Sequence, residues 1–263
     1  MNAPGDPGAN AALDLIAPAW SGPHRVRALF TTRVGGLSTG GAASLELGPA
    51  RLPADTRDGA VVENRRRLRA LLPAEPVWLH QVHGTHVVSL DRAGAAQARA
   101  VPPEADAAVT REALLVLTVR VADCLPVLLA DRAGSVVAVA HAGWRGLAAG
   151  VLEATVAAMD VAPSDAAAWL GPAIGPTAFE VGRDVYDAFC AHDPAAAACF
   201  APQRDGKWLA DLAALARRRL AGLGVRDIAV HGGCTYSDPA RYFSYRRDRA
   251  TGRMALAAWL APT

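Results

Sequence analysis

The stretch VAVAHAGWRG, residues 137–146, decides how the chain is read. Its unbroken run of Val and Ala has the character of a strand buried on both faces. The run carries an imidazole, His141, at its lip and passes at once into a glycine-bounded turn bearing Trp144 and Arg145. An Ala-rich helical pattern, RGLAAGVLEATVAAMD, opens directly behind that turn. A buried strand feeding a helix is the grammar of an α/β domain. Packing alone gives no reason for such a strand end to present His and Arg.

Working outward, similar apolar runs recur at VRALFTTR, PVWLHQVHG, THVVSL, LLVLTVRVA, LPVLLAD and IAVHGGCT. Helical patterns lie between them. TRDGAVVENRRRLRALL has a start expected near Asp58, GRDVYDAFCAH is amphipathic, and LADLAALARRRLAGLG ends in a glycine stop signal. AAQARAVPPEA, between residues 95 and 105, reads as a surface loop. RYFSYRRDRATGRMALAAWL reads as a closing hairpin turning around Ala250-Thr251-Gly252, its basic tip in solvent. No fixed-period repeat or Ser/Gly linker divides the chain. The expected fold is α/β (α+β), a single domain over residues 19–263 preceded by a flexible Pro/Gly/Asn-rich tail, residues 1–18.

At 263 residues, 52% hydrophobic and 20% charged, the chain has the composition of a globular protein. A net charge of +2 makes no case for a nucleic-acid partner. Lys207 is the one lysine among 27 basic residues, so the number of arginines does not by itself mark anion binding. No apolar run approaches the roughly 20 residues that a membrane span needs. The N-terminal residues lack the basic and apolar regions of a signal peptide. Cys124, Cys190, Cys199 and Cys234 form no CxxC pair, and a reducing, cytoplasmic setting is expected.

CLPVLLAD and SVVAVAH flank the turn signal RAG, and a tight hairpin there brings Cys124 and His141 to the same open end. A loop at Arg132-Ala133 sets the two residues directly opposite each other. A loop at Ala133-Gly134 moves the register but keeps both at that end. A thiol and an imidazole so placed suit either a Cys–His nucleophile or two ligands of a borderline-soft metal, zinc by default and copper as the second choice. The metal reading needs a third ligand, and WLHQVHGTH offers His80, His83 and His86. His83 precedes Gly84, where strand gives way to turn, and is the best placed of the three. Taken singly, each of these residues is an ordinary packed or surface side chain.

FTTRVGGLS, WLHQVHG, DAAVT, VADCLPVLLAD, VAVAHAGWRGLAAGVLEATV, LGPAIG, FEVGRDVYDAF, CTYSD and FSYRRDRATGRMA, in that order from about Val26 to Leu260, resemble the multi-copper polyphenol oxidase (laccase-domain) family. Members of that family are also described as zinc-dependent purine nucleoside enzymes and as peptidoglycan editing factors. The resemblance implies a four-layer α/β/β/α fold with mixed sheets. It also implies a metal held by His83, Cys124 and His141. The activities it implies are phosphorolysis of adenosine, inosine or methylthioadenosine, with adenosine deamination. Other readings carried by the resemblance are copper-supported polyphenol oxidation and a metal- or Cys-dependent hydrolase acting on peptidoglycan precursors.

Phosphorolysis requires cations to hold phosphate. Arg145, at the expected start of the Ala-rich helix, and Arg33, before the flexible VGG, are the candidates. Trp144 offers a flat face to a purine. Asp123, beside Cys124, is a candidate general base or ligand-orienting carboxylate. Glu46 stands where the resembling sequences often have Asn. The expected partners are therefore small molecules, a purine nucleoside and phosphate, with no nucleic acid or membrane, and with oligomeric state left open.

Overall fold

The computed structural model describes residues 12–49 and 59–263. Its strands are, in chain order, β1 (Leu15–Ile16), β2 (Val26–Thr31), β3 (Val87–Ser89), β4 (Ala107–Thr110), β5 (Leu117–Val121), β6 (Leu125–Asp131) and β7 (Val137–Ala142). They continue as β8 (Ala166–Leu170), β9 (Glu180–Val181), β10 (Phe200–Pro202), β11 (Trp208–Ala210), β12 (Asp227–Val230) and β13 (Met254–Leu260). The α-helices are α1 (Gly59–Arg69), α2 (Arg92–Ala100), α3 (Trp144–Ala149), α4 (Val151–Ala158), α5 (Arg183–Cys190), α6 (Leu212–Leu223) and α7 (Tyr245–Asp248).

Two mixed or antiparallel sheets stack face to face. The larger has the order β12-β8-β6-β7-β4-β3 and the smaller β1-β2-β13-β5. A third, three-stranded sheet, β10-β11-β9, lies beside them in the topology. Strand alternation assigns the layers. Leu125, Val127 and Leu129 of β6 join Ala138 and Ala140 of β7 against Val151 and Val156 of α4 and Leu215 and Leu220 of α6. The intervening residues Leu128, Val137 and Val139 turn the other way and meet Phe30, Val119 and Leu256 of the smaller sheet. Ala255 and Ala257, on that sheet's outer face, pack with Leu68 of α1, Leu45 and Trp78. The result is helix, sheet, sheet, helix, with a core on each side of the larger sheet. Strands covered on both faces explain why β6 and β7 read as continuous apolar runs.

The central hairpin adopts the second of the two registers: Pro126, not Cys124, stands opposite His141, and Leu125 opposite Ala142. Asp131 sets this register, its carboxylate accepting from Ser135 N (2.7 Å), Ser135 Oγ (2.7 Å) and Val136 N (2.9 Å) around Gly134 at φ +67°. Cys124 sits just beyond the ladder. The two residues share one strand end but are not cross-strand partners.

Several expectations are corrected. Residues 92–100 form helix α2, not a loop, because Asp91 caps it by accepting from Gly94 N (2.7 Å) and its alanines favour the helix. The closing segment is no hairpin: Tyr242 and Phe243 are buried, Ser244 caps the four-residue α7, and β13 pairs with β2 and β5 instead. Within the expected tail, Leu15 and Ile16 pair with Thr31 and Phe30, so residues 15–16 belong to a sheet. The Ala-rich helix is two helices, α3 and α4, broken at Gly150 with φ +104°. Asp58 and residues 1–11 lie outside the described residues. No helix among the described residues is long and apolar enough to cross a membrane.

Candidate functional site

The mouth of the β6–β7 hairpin supplies two of the metal-capable residues. His141 is the penultimate residue of β7 and is buried, while Cys124 leads into β6 and is half-buried. His83 arrives on a separate loop, with φ +64°, and is exposed. Its Nε2 lies 3.7 Å from Cys124 Sγ, and its ring meets the His141 ring edge-on at 4.7 Å. Ligand atoms of His83, Cys124 and His141 all fall within 4.8 Å of one another, a group able to hold a metal ion. His80 and His86 are exposed and stand outside it; His86 Nδ1 contacts Glu104 O at 2.7 Å.

Sequence reasoning missed the carboxylate that assembles this group. Asp106, in the DAAVT motif, is fully buried, and its Oδ1 lies 2.7 Å from His141 Nδ1. The same side chain accepts from the backbone N–H groups of Val82 (3.2 Å), His83 (3.0 Å) and Gly84 (2.6 Å). One residue thus orients the His141 ring, leaving Nε2 for a ligand, and shapes the turn that carries His83. Its signal in the sequence was an aspartate heading an apolar strand, where a charge needs buried partners.

The electrostatics follow. Burial pushes the Asp106 carboxyl up, but the His141 hydrogen bond and the Gly84 N–H outweigh it and hold the carboxyl below its ordinary value. Burial alone would raise the Cys124 thiol. The His141 charge and the hydrogen bonds to His141 and His83 bring it down to about 6. Burial likewise opposes the His141 charge, yet Cys124 and Asp106 raise it to about 9. The metal-free group is therefore a thiolate–imidazolium pair at neutral pH, and a thiolate with two imidazoles is a donor set for a borderline-soft metal.

The glycines of the opening stretch now have a reason. A Cβ at Gly143 would fall 2.7 Å from His83 Cδ2 and 3.1 Å from Cys124 Sγ. A Cβ at Gly146 would fall 2.7 Å from Gly84 O. Both positions must stay bare for the His83 loop to close over the strand end.

The three residues line a cavity of about 560 Å³. Trp144 and Arg145 line it as expected, the Arg145 guanidinium stacked on its neighbour's ring at 4.4 Å. Asp123 lines it too, at φ +85°, but orients none of the three ligands: Thr235 Oγ1 (2.6 Å) and Arg246 N (2.6 Å) donate to its two oxygens. Arg33 does not line the cavity. Its guanidinium donates to Ala43 O (2.7 Å) and Pro239 O (2.9 Å) and lies over the Phe243 ring, so carbonyl acceptors and an aromatic face take its donors. Glu46 is likewise not in the lining; Gly48 N donates to its carboxylate, and burial raises its pKa despite that bond and the charges of Arg253 and Arg120. Arg120, Arg246, Arg249 and Arg253, with Phe179 and Tyr245, also line it; sequence reasoning missed the arginines of segment 246–253 because it set them on a solvent tip.

This chain belongs to the multi-copper polyphenol oxidoreductase laccase family, whose model matches residues 27–261. It is 50% identical over 251 residues to a Xylella fastidiosa protein named purine nucleoside phosphorylase, covering 94% of this chain and 96% of that one. It is also 50% identical over 248 residues to Escherichia coli purine nucleoside phosphorylase YfiH, covering 94% and 98% of the two chains. The crystal structure of a Neisseria meningitidis protein superposes with a TM-score of 0.87 at 47% identity over 94% of this chain and 99% of that one. YlmD from Geobacillus stearothermophilus gives 0.78 at 32% identity over 91% and 93%.

Proposed function

We propose that this protein is a metal-dependent purine nucleoside phosphorylase, cleaving adenosine, inosine or methylthioadenosine with phosphate, and that it also deaminates adenosine. The observation that carries the reading is the His83–Cys124–His141 group opening into a cavity of about 560 Å³ walled by aromatic and cationic side chains. The relatives named purine nucleoside phosphorylase support it.

His83, Cys124 and His141 would hold the metal, zinc by their donor chemistry with copper as the second choice. When bound, such an ion supplies a Lewis acid beside the substrate. The rest is done by the chain's own residues. Asp106 keeps His141 Nδ1 engaged, so the ring presents one fixed nitrogen. Trp144, Phe179 and Tyr245 offer ring faces on which a purine stacks. Arg145 adds a guanidinium at the cavity wall. Asp123 works as an anchor: by accepting from Arg246 N it ties the cavity's arginine-bearing segment to the residue preceding Cys124.

The polyphenol oxidase reading gains less. Copper oxidases use several copper ions, and among the described residues one group of three ligand side chains gathers. The test is chromatography of adenosine incubated with zinc-loaded protein, with and without phosphate, beside a His83→Ala variant. Phosphate-dependent adenine and ribose 1-phosphate, lost in the variant, are expected; inosine formed without phosphate is the deamination product. Equal behaviour of wild type and variant sinks the nucleoside reading.

A further inference from the structure

Arginines elsewhere among the described residues commonly meet a carboxylate. Arg219 meets Glu153 at 2.8 Å, Arg241 meets Asp14 at 3.0 Å and Arg247 meets Asp248 at 2.7 Å. Others do not: Arg33, outside the cavity, donates to carbonyls, so what sets the cavity apart is the number of such arginines in one lining. Arg120, Arg145, Arg246, Arg249 and Arg253 have no carboxylate ion-pair partner among the described residues, although all line one cavity. The lining holds one carboxylate, Asp123, whose oxygens are already occupied by Thr235 and Arg246 N. Arg120 donates to Gly48 O and to Leu79 O (3.1 Å), Arg246 to Glu180 O (2.9 Å) and Arg253 to the carbonyls of Thr251 and Gly252 (3.1 Å each), while the Arg249 guanidinium rests over the Tyr245 ring at 5.7 Å.

Three of the five come from the single segment 246–253, which is built rather than slack. Ser244 caps its helix by accepting from Arg247 N, and Asp123 grips Arg246 N. Gly252 is wedged so tightly that a Cβ there would fall 2.6 Å from the Phe243 ring. Arg249 is held at φ +58° and ψ −71°, outside the helical wells of either hand, a backbone state that a residue with a side chain adopts at a cost. In the strand register Arg120 pairs with Ala255, and Arg253 lies two residues before that partner, on the same alternation. Like charges on neighbouring positions of one face repel, and the half-buried Glu46 carboxylate behind Arg120 and Arg253 offsets part of that charge.

We propose that this wall is an oxyanion subsite, in which Arg249 and Arg253 bind a phosphate-class group and Arg120, its Nη donors held by Gly48 O and Leu79 O, adds positive charge beside Arg253. It deepens the phosphorolysis reading by giving phosphate a seat on segment 246–253 and not at Arg145, but the binding itself needs no turnover. A phosphate group reaches such a seat either as inorganic phosphate or as an ester on the substrate.

Isothermal titration of the full-length protein with inorganic phosphate, and separately with adenosine 5′-monophosphate, tests it. Saturable binding is expected, weakened about tenfold or more by Arg249→Gln and by Arg253→Gln, as befits a lost charge-assisted bond, and little changed by Arg145→Gln. Circular dichroism melts check folding, and if Arg253→Gln unfolds, Arg249→Gln, at an exposed residue, decides alone. Loss of phosphate binding in these variants supports the subsite and the phosphorolysis reading together. Loss confined to the monophosphate supports the subsite but overturns inorganic phosphate as its occupant, while phosphorolysis stands or falls on the turnover assay. Binding of neither anion, or weakening by Arg145→Gln alone, overturns the proposal.

Discussion

The two ends of the cavity are built on opposite principles. At the histidine end, polar groups are partnered within the protein: Asp106 alone receives His141 Nδ1 and three backbone N–H groups, and Cys124 and His141 balance each other's charge. Elsewhere in the lining, five arginines share the cavity with one carboxylate, Asp123, that is already engaged. The first end gathers a donor set by direction. The second gathers positive charge.

The largest expected effect is at the directional end. Cys124→Ala removes one of three donors and should abolish stoichiometric zinc retention, measured by elemental analysis after desalting; retained zinc at one equivalent would show that the metal sits elsewhere. Asp106→Asn should lower zinc affinity by about 10- to 100-fold in chelator competition. An unchanged affinity would mean that the backbone alone presets His141 and His83. Gly143→Ala should impair zinc retention as well, because the new methyl intrudes on both His83 and Cys124.

Thiol chemistry sharpens the same contrast. In metal-free protein, Cys124 alkylation by iodoacetamide should rise with pH around a midpoint of about 6 rather than the ordinary 9.0, and zinc should block it. A midpoint near 9 would contradict the thiolate–imidazolium pair. The smallest effect concerns Glu46, behind the arginines. Burial raises its folded pKa above 4.5, so its proton is bound more tightly when folded and stability falls as pH rises through that raised value. Glu46→Gln should therefore raise the urea midpoint at pH 8, with the difference vanishing below the unfolded pKa of 4.5. The reverse trend would mean that the Glu46 charge is needed to offset Arg120 and Arg253.

Much of the fold was legible because burial writes itself into composition. The unbroken apolar runs of β6 and β7 announced strands covered on both faces, and Gly224, at φ +101°, marked the end of α6. What escaped were short elements with mixed signals. Strand β4 hides behind Asp106, and β8 is a run of three alanines, Trp and Leu that any helix would accept. The basic segment 246–253 carries no local sign that Asp123, more than a hundred residues earlier, holds it to the cavity.

The sequence by itself determined the α/β grammar and three residues with metal-binding chemistry, because residue type and strand-end position are local properties. Only the tertiary structure decided that Asp106 orients two of them, that Arg33 turns away to carbonyl oxygens, and that Arg249 and Arg253 turn toward the cavity. Those outcomes depend on partners brought together from distant parts of the chain, and a hydrogen bond or an unpaired charge exists only once both sides of the contact are in place.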